Sequence, residues 1–212
     1  MFVITADQVD SRHDVDRAAE ATDAMTAEFG PELTLDIDQT SGDEIQAVTD
    51  SAEAALGMTL ALTRTGHWSV GLGVGPVRTP LPAAARKATG PAFIAARAAV
   101  DAAKKSDSRF ALRADGDGEE RAGVIEPLVD MLLLIRARRS DPGWEVVDLM
   151  RGGATQKETA GILGISAAAV SQRLRAALWR VEDEARPALG SLLAELDAIM
   201  SHSAQDGTEP PE

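Results

Sequence analysis

The sequence predicts an α+β fold in two modules, a sandwich of strands and helices over residues 1–113 and an all-α domain over residues 122–201. Three observations carry this reading. Short β-branched or alternating runs take turns with alanine-rich helical stretches as far as Arg113. A glycine and acid cluster, Ala-Asp-Gly-Asp-Gly-Glu-Glu, follows from Ala114 with no apolar anchor, and marks a linker over residues 114–121. Beyond it the pattern is helical until Ser201, after which Ser, Gln, Gly, Glu and Pro suggest a disordered tail over residues 202–212. A chain of 212 residues is long enough for two modest cores.

The elements follow in order. Val3 to Thr5 is a β-branched run, and Asp14 to Phe29 is a charged, alanine-rich helix closed by Gly30-Pro31. Leu33 to Ile37 and Glu44 to Val48 make a hairpin around the turn Ser41-Gly42-Asp43. Ser51 to Leu62 is a second helix, and His67 to Val77 is strand-like, with glycines at 71, 73 and 75 that imply close backbone approach. Gly90-Pro91 opens an alanine-rich helix to Lys105, and Arg109 to Arg113 is a last strand. After the linker, Pro127 is expected to open a helix to Arg139 that is apolar on nearly every side and therefore widely buried.

Composition narrows the classes of function. Without cysteine there is no disulfide, thiolate metal site or thiol nucleophile, which suits a cytoplasmic location. The start Met-Phe-Val-Ile-Thr-Ala-Asp gives no expectation of a secretion signal, and no apolar run has membrane-spanning length. The net charge of −13 opposes binding of a polyanion at long range. Its distribution relieves the conflict: residues 1–120 hold 20 acids against 11 bases, and residues 121–212 hold 14 against 10. The histidines at 13, 67 and 202 lack ligand spacing, and Gly71-Leu-Gly-Val-Gly lacks the full dinucleotide-binding spacing.

The densest constellation lies between Trp144 and Arg180, where the spacing predicts a helix-turn-helix. Thr155 and Glu158 have capping-box spacing for a short helix to Leu163, Gly164 supplies the turn, and Ser166 caps a second helix to about Arg180. Ala160 is small where helices cross, and Val170 is a β-branched core contact. Arg173, Arg175 and Arg180 meet no acid before Glu182. The implied partner is double-stranded DNA. Ser166, Ala167, Ala168, Ser171 and Gln172 would face the major groove, Arg173 and Arg175 would take phosphates or guanine edges, and Gln156 and Lys157 would contact the backbone. One such unit makes a small interface, so a homodimer is expected.

In the first module, Asp7 follows a strand and Asp43 with Glu44 stands in the hairpin, where carboxylates could hold magnesium or serve local turn geometry. The blocks ITADQVDSR, SGDEIQAV, VGLGVGPV and GPAFIAARAAVDAAK resemble the SatD family of bacterial proteins, whose members often carry a carboxy-terminal helix-turn-helix; the likeness covers most of the chain. The same blocks are more distantly similar to class III nucleotidyl cyclases and GGDEF-type synthases, which share a palm-like fold of ferredoxin type. That resemblance implies metal binding at Asp7 and Asp43, with Glu44 as the GGDEF-like alternative, and a nucleoside triphosphate as ligand. With Ala95-Ala96-Arg97 aligned to the late cyclase helix, Arg97 takes the place of its arginine and Phe93 that of its asparagine. Counting from Gly90 turns Arg97 about 100° around the helix and loses that match. The sequence therefore favours a dimeric DNA-binding transcriptional regulator whose palm-like domain senses a nucleotide or other ligand. Two alternatives stand beside it: a metal-dependent cyclase-like enzyme with an accessory DNA-binding domain, and a first domain that only dimerises.

Overall fold

A computed structural model describes residues 1–40 and 42–206. Strand β1 (Phe2–Gln8) lies at the centre of a five-stranded mixed sheet of order β2-β3-β1-β4-β5. The hairpin β2 (Leu33–Gln39) and β3 (Glu44–Thr49) adds antiparallel on one side of β1, with Asp7 opposite Glu44. Strand β4 (Trp68–Val74) adds antiparallel on the other side, and β5 (Phe110–Ala114) pairs parallel to β4. The turn residue Ser41 lies outside the described residues.

Helices α1 (Ala18–Phe29), α2 (Ala52–Arg64) and α3 (Pro91–Ala103) connect the strands. Ser51 caps α2, its hydroxyl accepting from the Ala54 N–H at 3.1 Å. Both β1 and β4 are buried along nearly their whole length, so both faces of the sheet are covered. The odd-numbered residues of β1 and β4 face α3. A Cβ on Gly71 would come within 2.2 Å of the Val100 nitrogen, and one on Gly73 within 2.2 Å of the Ala92 carbonyl oxygen. The close approach read from these glycines is therefore real: the backbone of α3 lies directly on β4, with Val3, Ala92 and Ala96 packed in the same core cluster.

The helical part comprises α4 (Gly118–Ala137), α5 (Asp141–Arg151), α6 (Gln156–Leu163), α7 (Ala167–Ala176) and α8 (Trp179–Asp206). The chain divides into two compact units, one of residues 1–130 with 189–212 and the other of residues 131–188. This departs from the expected boundary. Residues 118–121 are not linker but the first turn of α4, because Glu119 and Glu120 favour a helix amino terminus. Pro127 lies inside α4 rather than at its start, with Gly123 four residues before it, where a proline ring crowds the preceding turn. Helix α4 is not buried on every side: Val124, Leu128, Met131 and Leu134 are exposed. Residues 202–206, expected as tail, continue α8, and the remainder of that tail, residues 207–212, lies outside the described residues. No helix among the described residues is long and apolar enough to cross a membrane.

Candidate nucleic-acid interface

In the unit of residues 131–188, α5, α6 and α7 surround a small core of Val146, Val147, Val170, Leu174 and Ala177. Helix α6 begins as its sequence dictates. The Thr155 hydroxyl accepts from the Glu158 N–H at 3.3 Å, while the Glu158 carboxylate accepts from the Thr155 N–H at 2.8 Å. The Thr155 N–H, which contributes most, and the Thr155 hydroxyl, which donates to the same carboxylate at 2.8 Å, hold the Glu158 carboxyl below its ordinary range. The helix ends at Gly164, whose φ of 64° is left-handed, and the Ala160 carbonyl accepts from Ile165 N–H at 3.1 Å. Ser166 then caps α7, its hydroxyl accepting from the Ala169 N–H at 3.1 Å.

Helix α7 is thereby divided into two faces. Val170, Leu174 and Ala177, spaced i, i+4, i+7, face the core, whereas Ala168, Gln172 and Arg175, at the same spacing, are exposed. Of the other residues read as contacts, Ser166, Ala167, Gln156 and Lys157 are exposed and Ser171 is half-buried. Gln156, Ser171, Arg175 and Arg180 line one open cavity of about 470 Å³, with Leu174 and Trp179 among its apolar walls. Arg173 is turned differently, its guanidinium meeting the Glu145 carboxylate at 3.1 Å.

The sheet holds the other candidate residues. Asp7 and Glu44 are directly paired across β1 and β3, so both side chains take the face covered by α3. Helix α3 brings a cation to each. Arg97 Nη1 and Nη2 donate to the Glu44 carboxylate, at 2.5 and 2.8 Å, and Thr40 Oγ1 adds a third bond at 2.6 Å. Lys104, two turns after Arg97, lies 2.9 Å from Asp7. The Glu44 side chain is 3% exposed and that of Arg97 56%. The bonds to Glu44 raise the Arg97 pKa above its ordinary value, against partial burial. Asp43 instead accepts from the Ser11 hydroxyl at 2.7 Å.

The expected metal set of Asp7, Asp43 and Glu44 is thus not assembled, and among the described residues no three acid or histidine side chains converge as a metal-holding group. The physical reason is that the protein's own guanidinium and ammonium already supply the charge a divalent ion would bring. These carboxylates do not fit a magnesium ion without displacing Arg97 or Lys104. Arg97 likewise reaches a carboxylate rather than standing free to meet a phosphate. Sequence reading missed Lys104, and it missed the buried Glu182 with its arginines. The signal for Lys104 was its seven-residue spacing from Arg97 on a helix that is otherwise mostly alanine.

Comparison with protein-family models, with curated proteins and with solved structures finds no match to this chain.

Proposed function

We propose that the chain is a DNA-binding regulator that acts as a homodimer, reading double-stranded DNA through a helix-turn-helix formed by α5, α6 and α7. The observation that carries this reading is the convergence of Gln156 from the start of α6 with Ser171 and Arg175 of α7 on one open cavity beside Arg180. In this reading a phosphate strand passes over the capped amino terminus of α6, where unpaired N–H groups favour an anion. The exposed face of Ala168, Gln172 and Arg175 then enters the major groove. No acid occurs from Thr159 to Val181; just beyond, Asp183 lines the cavity and Glu184 pairs with Arg180 at 3.0 Å. Arg173, tied to Glu145, serves as a phosphate contact at the margin rather than a base reader.

The strand order β2-β3-β1-β4-β5, antiparallel except for β5, supports reading the first unit as a ferredoxin-like palm with one added strand, and in this reading it has a sensing or dimerising role. The exposed apolar side chains of α4 favour a second copy as partner. Since Asp7 and Glu44 already carry internal counter-ions, a nucleotide bound by this unit acts in this reading as a ligand and not as a substrate.

The test is selection of bound sequences from random duplex DNA with the full chain, with and without nucleotides and magnesium. A palindromic motif supports the dimeric regulator, and a nucleotide-dependent change in its enrichment supports sensing. Arg175→Ala is expected to weaken binding to the selected site by about 1–3 kcal/mol if it reads a base, with relaxed specificity at one position. If it holds a phosphate, the loss is uniform across sequences and the salt slope falls by about one. Absence of any enriched sequence, with unaltered weak binding in the variant, overturns the reading.

A further inference from the structure

Glu182 sits at the start of α8 with its side chain fully buried, where an isolated carboxylate costs several kcal/mol. Three guanidiniums meet it. Arg136 and Arg151 both donate to Oε1, and Arg139 donates to Oε2 at 2.7 Å. The Trp144 ring lies against all three, its centroid 4.8, 4.3 and 5.9 Å from the guanidinium carbons of Arg136, Arg139 and Arg151. Burial pulls the Glu182 carboxyl upward, but the three arginines together outweigh it and hold it below its ordinary range. Burial, helped by the neighbouring arginines, pushes Arg136 down to about 10 against the attraction of Glu182.

Arg139 has a second set of bonds that concerns α7. Its Nε and Nη2 donate to the Ala177 carbonyl at 3.1 and 2.8 Å. Ala177 is the C-cap of α7, where carbonyls lose their helical partners and must find others. The next residue, Leu178, turns the chain with a φ of 50°, a left-handed conformation that leucine holds only when its surroundings fix it. A planar guanidinium gripped on one side by a buried carboxylate and on the other by this carbonyl supplies that constraint.

We infer that Arg139, oriented by Glu182, is a positioning residue for α7: it fixes the direction in which the helix leaves the core and so aims the face that reads DNA. This role rests on the DNA reading of α7 given above. DNA recognition should then depend on a buried ion pair that makes no contact with the nucleic acid.

The deciding variant is Arg139→Met in the full chain. It removes the guanidinium at similar volume while Glu182 keeps Arg136 and Arg151 as partners, so the unit stays folded while the Ala177 carbonyl loses its donor. Amide hydrogen exchange is read at residues 176–179, with α6 as the internal reference. Exchange about tenfold faster at those amides, with α6 unchanged, is the expected result. Binding to the selected site should weaken by about tenfold, while binding to random duplex changes by less than about twofold, because phosphate contacts survive where aim is lost. Should this variant not fold, Arg139→Lys keeps the charge but lacks the fork, and is expected to show the same exchange pattern in weaker form. Wild-type exchange at 176–179 in the folded variant overturns the positioning role. If the wild-type chain binds no duplex while the exchange pattern appears, the DNA reading falls and the positioning of α7 stands.

Discussion

Two buried glutamates, one in each unit, solve the same problem in unequal ways. Glu44 is held by a single arginine whose own side chain is more than half exposed, aided by the Thr40 hydroxyl. Glu182 is held by three arginines, of which Arg136 and Arg139 are themselves buried. In the sheet unit the cation can relax into water when its partner is lost. In the helical unit it cannot, and each partner depends on the others. Charge pairing at Glu44 therefore tunes a surface, whereas pairing at Glu182 holds several helix ends together.

The largest expected effect follows from that contrast. Glu182→Ala leaves three guanidiniums facing one another in the interior and should cost about 3–5 kcal/mol, the range for breaking a buried pair. Glu44→Ala leaves a hydratable Arg97 and should cost about 1–3 kcal/mol. Urea unfolding followed by tryptophan fluorescence measures both, Trp144 and Trp179 reporting the helical unit and Trp68 the sheet unit. Equal losses would remove the distinction between the two sites.

Acid sharpens the same comparison with a somewhat smaller effect. The folded-state pKa of Glu182 is lowered, so its contribution is present above the ordinary carboxylate range and is lost as pH falls through the depressed folded value. The helical unit should melt at progressively lower temperature below about pH 4.5. Glu182→Gln should flatten that slope while lowering stability at neutral pH. A slope unchanged in the variant would place the acid sensitivity elsewhere.

Much of the fold could be read from the sequence because it was written locally. Every strand of the sheet and its three connecting helices follow from period-two runs, alanine-rich stretches and turn residues, and the caps Ser51, Thr155 and Ser166 all hold as their types require. Gly71 and Gly73 marked where a helix backbone touches a strand. What failed was non-local. The acid cluster after Ala114 resembled a linker, yet Glu119 and Glu120 begin a helix. The apolar run from Leu128 gave no sign of which side stays exposed. Asp7 and Glu44 read as metal ligands because nothing near them in sequence shows that α3 lays Arg97 and Lys104 across the same face. The arginines that surround Glu182 come from positions between 31 and 46 residues away, beyond any local pattern.

The internal cations of the sheet unit can themselves be set against a metal. If Arg97 and Lys104 take the place of a divalent ion, removing both should uncover a carboxylate pair that can accept one. The double variant Arg97→Met with Lys104→Met leaves Asp7 and Glu44 side by side across β1 and β3 without counter-charge, and it should be less stable than wild type in the absence of divalent ions. Magnesium or manganese at roughly ten times its dissociation constant should then restore about 1–2 kcal/mol to the variant, by binding the folded state alone. The wild-type chain, whose acids are already neutralised, should show no such gain in the same titration. A gain of equal size in wild type would mean that an ion can displace Arg97 or Lys104, and the sheet unit would again be a candidate for metal-assisted nucleotide chemistry.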